Sequence, residues 1–463
     1  MPDQSVICAI STPSGSGGIA VIRLSGRGGW DIAGQVFSSP SKKLLSEFSA
    51  NTVHFGEITD GTQVIDEVLV ALFRAPHSYT GEDTVEITCH GSVYIQQRIL
   101  QLLIEKGACL AQPGEFTRRA FLNGKMDLIR AEAVADLIAS TSAGMHRLAL
   151  NQMRGGFSNE LAKLRSQLLD FTSLIELELD FTEEDVEFAD RNHLKTLAAD
   201  MEQIIQKLAN SFSAGNAIKN GIPVAIIGET NAGKSTLLNL LVGEERAIVS
   251  DIHGTTRDMI EDAVNISGVT FRFIDTAGIR ETSDVIESIG IERTFRKLEQ
   301  ASIVLWVIDL ASPDNEIKAL AAQIVPRSEG KHLMLVFNKS DLLTPEELDC
   351  KQRLLADLPA TRMYISAKQQ VNTESLQHEL LKAASLHDIS QNEVIVTNVR
   401  HYESLTNALH AIRRVKENLT VGISGDFLSQ DIRECTHYLG EITGQINNDE
   451  VLGNIFAKFC IGK

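Results

Sequence analysis

Residues Gly228-Glu229-Thr230-Asn231-Ala232-Gly233-Lys234-Ser235 fit the pattern G-x-x-x-x-G-K-S. That pattern is a phosphate cradle. Its glycines let backbone N–H groups wrap a phosphate, and the helix it opens adds positive potential at its first turn. In such a loop Lys234 reaches the β- and γ-phosphates, and Ser235, next to Thr236, offers a hydroxyl to Mg2+. The surroundings are those the motif needs: the apolar run VAIIG (224–228) leads in and the helical run STLLNLLVG leads out.

Further elements follow in chain order. Asp275-Thr276-Ala277-Gly278 closes the run VTFRFID, where a carboxylate can hold a Mg2+-bound water and a glycine N–H can meet the γ-phosphate. Asn338-Lys339-Ser340-Asp341 closes another strand. A carboxylate there accepts from both N1–H and the 2-amino group of guanine, which adenine cannot offer. Ser366-Ala367-Lys368 follows the next strand and can close over the base. Between the cradle and Asp275 lies His253-Gly254-Thr255-Thr256-Arg257-Asp258, in which Thr256 is the expected second hydroxyl on Mg2+. This order is similar to the small GTPase family and implies a guanine nucleotide. Many such proteins carry Gln after D-x-x-G to orient water; here the residue is Ile279. Arg280, Glu281, Asp284 and Glu287 follow, and a carboxylate acting through a bridging water is one solution. Chemistry alone does not choose among them.

The elements that must position these groups show in the hydropathy pattern. IAVIRL (19–24), VLVALF (68–73) and TVEITC (84–89) read as strands, and IQQRILQLLIEKG (95–107) as a helix ending at Gly107. The first 123 residues are expected to form an α+β domain. From Asp127 apolar residues recur at helical steps; Leu161, Leu164, Leu168, Phe171 and Ile175 share one face. SAGNAIKNGIP (213–223) reads as a linker. The runs at 224–228, 269–275, 303–309, 332–338 and 362–366 are nearly continuous apolar stretches, as in strands covered on both faces. They imply a doubly wound α/β domain, after which helices return from Asn398. The expected division is 1–123, 124–220, 221–386 and 387–463, with the α/β part inserted into an α-helical bundle; two separate helical domains are the alternative.

The chain has 463 residues, 43% hydrophobic and 22% charged, so it is globular and of several domains. No apolar run is long enough to span a bilayer and no secretory signal shows, so a cytoplasmic setting with no membrane is expected. The net charge of −18 argues against non-specific nucleic-acid binding but leaves room for a local basic patch. Cys8, Cys89, Cys109, Cys350 and Cys435 show no metal-ligand spacing and are expected to be reduced and mostly buried.

The stretches GGIAVIRLSG, SYTGEDTVE, CHG, PGEFTRRAFLNGKMDL, AEAVADLI, NAGKS, GTTRD, DTAGIR and the terminal FCIGK together resemble the MnmE (TrmE) family of tRNA-modification GTPases, over the whole chain. The resemblance implies a folate-binding and dimerisation domain, a helical domain and an inserted G domain. It implies a K+-stimulated GTPase that works as a homodimer, and with the FAD protein MnmG as a heterotetramer. Together they build an aminomethyl or carboxymethylaminomethyl group at C5 of the wobble uridine of certain tRNAs, using a tetrahydrofolate one-carbon unit. By the same resemblance GTP contacts run through Asn231, Ala232, Gly233, Lys234, Ser235 and Thr236. They continue through Ser250, Asp251, Ile252, His253, Gly254, Thr255 and Thr256. K+ falls to Asn231, Ser250, Ile252 and Thr255, and Glu287 becomes the catalytic glutamate. Arg23, Glu86, Lys125 and Lys463 correspond to contacts of 5-formyltetrahydrofolate, or methylenetetrahydrofolate as the donor, and Cys460 stands in the C-terminal motif as a candidate reactive cysteine. Thr230 stands where many members have Pro, and Ser92 where they have a second Gly after His. The rival readings are a GTP-regulated ribosome-assembly switch without folate chemistry, a folate-dependent methyltransferase with a vestigial G domain, and an ATPase, which Asn338 and Asp341 oppose.

Overall fold

In the computed structural model the described residues are 5–180, 191–229, 231–244, 262–274, 298–344, 346–347, 351, 353, 355–384, 394–421, 425–446, 449–457, 459–460 and 462. They form two compact units, each discontinuous in sequence. The first takes Met1–Ile138, Gln152–Met201 and Asn407–Lys463; the second takes Ala139–Asn151 and Glu202–Thr406.

The first unit holds a seven-stranded sheet of β1 (Ile7–Ile10), β2 (Ile19–Ser25), β3 (Phe37–Ser38), β4 (Thr52–Thr59), β5 (Val64–Phe73), β6 (Thr84–His90) and β7 (Cys109–Leu110), in the order β3-β4-β5-β6-β2-β1-β7. Pairing is antiparallel except between β1 and β7. Two-residue alternation decides which side chains are buried. Ile22 and Leu24 of β2, Val70 and Leu72 of β5 and Val85 and Ile87 of β6 share a core with Ile99, Leu102 and Leu103 of the helix Val93–Glu105. The intervening positions carry Arg23 and Glu86 on the opposite face. Elsewhere in this unit the helices Gly156–Asp180 and Gly425–Thr443 pack together. Leu161, Leu164, Leu168, Phe171 and Ile175 are all buried, as their spacing predicts.

The second unit holds a six-stranded sheet of β8 (Ile222–Ile227), β9 (Asp262–Ile266), β10 (Val269–Phe273), β11 (Ile303–Asp309), β12 (His332–Asn338) and β13 (Thr361–Tyr364), in the order β13-β12-β11-β8-β10-β9. All pairs are parallel except β9 with β10. Both faces are covered. Val224, Ile226, Leu305, Val307 and Val336 pack with Leu237, Leu238 and Leu241 of the helix Lys234–Glu244. Ala225, Ile227, Trp306, Ile308 and Phe337 pack with Ile317 and Ile324 of the helix Asp314–Arg327 on the other side. That double burial is why the strands read as unbroken apolar runs.

One expectation needs correction. Residues 213–223 are no linker: Phe212–Asn220 is a helix and β8 begins at Ile222. A Cβ on Gly215 would lie 2.0 Å from the Val396 carbonyl oxygen, so this glycine marks a close backbone approach within a helix. Cys109 is exposed, because β7 is a two-residue edge strand bonded to β1. Cys8, Cys89 and Cys435 are buried as expected, and burial pushes the Cys8 and Cys435 thiols up to about 12.

Candidate functional site

The cradle lies between the end of β8 and the helix Lys234–Glu244. Gly228 has φ 147°, and a Cβ there would sit 2.1 Å from the Val307 carbonyl oxygen on the neighbouring strand. Gly233 has φ 96°, and its Cβ would meet Asn338 Nδ2 at 2.1 Å. Both positions therefore demand glycine for conformation and for space. Asn231 has φ 63° and is exposed, while Ala232 is buried. Lys234 Nζ donates to the carbonyls of Gly228 (2.8 Å) and Glu229 (2.5 Å), which curls the ammonium back over its own loop. Ser235 is the second residue of the helix and Thr236 the third, so both lie in the first turn, where N–H groups lack intrahelical partners.

Asn338, 3% exposed, joins the cradle to the next loop. Its Nδ2 donates to Ala232 O (2.8 Å) and its Oδ1 accepts from Ala367 N (3.0 Å). Lys339, at φ 64°, pairs with Asp309 at 2.5 Å at the ends of adjacent strands. Asp341 is exposed and accepts from Gln369 Nε2 at 3.3 Å. Ser366 Oγ accepts from Gln369 N at 3.2 Å, closing the turn that presents Ala367 and Lys368. The structure thus brings together residues 231–236, 338–341 and 366–368. The other nucleotide and cation candidates, Ser250, Asp251, Ile252, His253, Gly254, Thr255, Thr256, Asp275, Thr276, Ala277, Gly278 and Glu287, lie outside the described residues, as does Lys463. The chemistry of the cradle suits a nucleotide phosphate: two space-restricted glycines, a helix start and a lysine belong to one loop.

A second cluster sits on the other face of the first unit's sheet, beside the small core of Ile7, Ala9, Ala111 and Phe116. Arg23 and Glu86 are direct cross-strand partners, with Arg23 Nη2 2.7 Å from Glu86 Oε1. These two expected folate contacts are therefore bound to each other as one ion pair, 19% and 28% exposed. The Arg23 guanidinium lies 5.4 Å from the Tyr79 ring centroid and 5.7 Å from that of Phe116. Tyr79 OH is within 2.9 Å of Thr117 Oγ1, and burial raises the Tyr79 pKa. Lys125 Nζ donates to Pro76 O at 2.8 Å, and its aliphatic stem lies against Gly81. Cys460 is exposed, and its carbonyl accepts from Gly114 N at 3.3 Å, two residues before Phe116. Tyr79 and Phe116 escaped the sequence reading. Both stand inside the quoted stretches SYTGEDTVE and PGEFTRRAFLNGKMDL, but nothing in their spacing pointed to Arg23.

Two family models match the chain: "GTP-binding protein TrmE N-terminus" over residues 6–125 and "MnmE helical domain" over residues 128–460. A Bacteroides fragilis protein named tRNA modification GTPase MnmE is 63% identical over the full length of both chains. The chain belongs to the MnmE (TrmE) family. MnmE proteins of Bacteroides thetaiotaomicron and Flavobacterium johnsoniae are 61% and 54% identical, again over all of both chains. Among solved structures, Era of Aquifex aeolicus bound to GDP and aluminium fluoride shares 26% identity over 41% of this chain and 65% of its own, with a TM-score of 0.28. Within this MnmE-family chain, no described helix is long and apolar enough to cross a membrane.

Proposed function

We propose that this chain is the GTP hydrolase of a tRNA-modifying complex. One observation carries the reading: the family match runs from residue 6 to residue 460, and full-length relatives bear the name tRNA modification GTPase. The joined loops at 231–236, 338–341 and 366–368 support the nucleotide part.

In this reading the cradle's N–H groups and Lys234 hold the GTP phosphates, Asp341 reads guanine, and Ser235 with Thr256 would hold Mg2+, which neutralises charge on the phosphates. Asn231, Ser250, Ile252 and Thr255 would hold K+. Glu287 positions the attacking water where Ile279 cannot. Arg23, Glu86, Lys125 and Lys463 bind a tetrahydrofolate, with Cys460 close to the modification chemistry. The chain acts in the cytoplasm as a homodimer and joins an FAD-containing MnmG partner to modify the wobble uridine. The domain division is 1–123, 124–220, 221–386 and 387–463.

The test is GTP turnover by purified protein in matched KCl and NaCl, with Glu287→Ala and Asn231→Ala beside wild type. Turnover is expected to rise in KCl alone, and Glu287→Ala to lose about 10²-fold or more while nucleotide binding survives. Asn231→Ala should lose the potassium response. Turnover indifferent to the cation would remove the K+ mechanism and leave the guanine-nucleotide assignment.

A further inference from the structure

The second residue of the cradle is an acid, Glu229, whose carboxylate sits on a loop built to attract phosphate anions. Left free, such a charge opposes the ligand. The structure shows where it is held. Ser312 Oγ donates to Glu229 Oε2 at 3.0 Å, while the Glu229 backbone carbonyl faces Lys234 Nζ. The side chain and the backbone of Glu229 therefore have different partners.

Ser312 is itself fixed by the loop after β11. Its N–H donates to Asp309 O (3.0 Å), and its carbonyl accepts from Lys351 Nζ (2.9 Å), which also pairs with Asp314 at 2.6 Å. Asp309 in turn accepts from Ala311 N (2.9 Å) and holds Lys339. One short loop thus touches the phosphate cradle through Ser312 and the base-reading segment through Asp309.

We infer that Ser312 is a positioning residue for nucleotide binding: its hydroxyl holds the Glu229 carboxylate on the 309–314 loop and away from the phosphates. The inference rests on the cradle binding GTP. It makes the role of Ser312 conditional on the charge of Glu229, which a merely structural serine would not show. Loss of the hydroxyl frees the carboxylate. The repulsion is greater for GTP than for GDP, which carries less negative charge, and fades with added salt.

The experiment is a double-mutant cycle on the full chain, read by titration with fluorescent GTP and GDP analogues at low and high salt. Ser312→Ala is expected to weaken GTP binding about three- to tenfold at low salt, GDP binding less, and both less in high salt. In a Glu229→Gln background the same substitution should leave affinity within about twofold, because no charge remains to be held. Ser312→Thr, which keeps a hydroxyl, should restore the wild-type value. An unchanged affinity in Ser312→Ala, or an equal loss in the Glu229→Gln background, would overturn the inference while leaving the nucleotide site standing. A wild-type chain that binds neither analogue would overturn the nucleotide assignment and this inference with it.

Discussion

Asn338 and Asp341 stand three residues apart in one motif, yet their surroundings assign them opposite kinds of work. Asn338 is buried and satisfies Ala232 O and Ala367 N with its two amide ends. Asn338→Ala leaves both backbone groups unpaired in the interior, at about 2–4 kcal/mol in all. It should weaken GTP and ATP binding alike, because it loosens the cradle and not the base contact. Asp341 is exposed, with Gln369 as its hydrogen-bond partner among the described residues. Asp341→Asn should change stability by no more than about 0.5 kcal/mol. It should erase the preference for GTP over ATP, since one of the two acceptor oxygens facing guanine N1–H and the 2-amino group becomes an NH2 donor. Urea unfolding and nucleotide competition, run on both variants, separate the two roles. GTP selectivity that survives Asp341→Asn would remove the base-reading assignment. The residue types at 338 and 341 are plain in the sequence. The burial that divides them is not, because it depends on strands β11 and β13 arriving on either side of β12.

Which elements the sequence reveals follows from how many of their faces are covered. Strands β8, β11 and β12 are buried on both faces and read as unbroken apolar runs. β9 (Asp262–Ile266) is an antiparallel edge strand with Asp and Asn among its residues, and β4 (Thr52–Thr59) alternates exposed with half-buried positions up to Phe55 and buried with half-buried ones from Gly56, so neither reads as a strand in the sequence. The helix Phe212–Asn220 is hidden for a different reason: Gly and Asn are loop signals, yet Gly215 is there for clearance. Ser211 Oγ accepts from Val396 N at 3.0 Å and Phe212 stacks on Tyr402 at 4.6 Å, which draws that helix onto the segment 395–402. Two glycine substitutions distinguish propensity from clearance. Gly243, in the helix Lys234–Glu244, has no atom within 4 Å of a built Cβ, so Gly243→Ala should stabilise by about 0.5–1 kcal/mol. Gly215→Ala has the same propensity gain but drives a methyl into a backbone carbonyl, and should lose about 1–2 kcal/mol net. Thermal unfolding of both variants decides it; stabilisation by Gly215→Ala would mean that the helix does not meet Val396 so closely.

At the scale of the whole chain, the first and last segments belong to one unit, and the net charge of −18 is set against any broad attraction to RNA phosphates. Any basic patch for RNA would have to be local. The C-terminal segment is fastened at two places. The Cys460 carbonyl accepts from Gly114 N, and the Gly462 carbonyl accepts from Ser11 Oγ at 3.2 Å. A Cβ on Gly462 would lie 2.4 Å from Ile10 O, so this end lies directly on the backbone of β1. Phe459 adds an edge-on ring contact with Phe456 at 5.3 Å. Ending the chain after Ala457 removes the two hydrogen bonds from Gly114 and Ser11 at about 1 kcal/mol each and the partial burial of one ring at about 1–2 kcal/mol. At about 2–4 °C per kcal/mol for a unit of this size, that unit's calorimetric transition should fall by about 6–16 °C. Affinity for GDP is expected to hold, because residues 228–235, 338–341 and 366–368 all belong to the other unit. An unshifted transition would show that the tail adds nothing to the unit's stability. A loss of GDP affinity would mean instead that the tail acts on the nucleotide site, which no contact within the first unit explains.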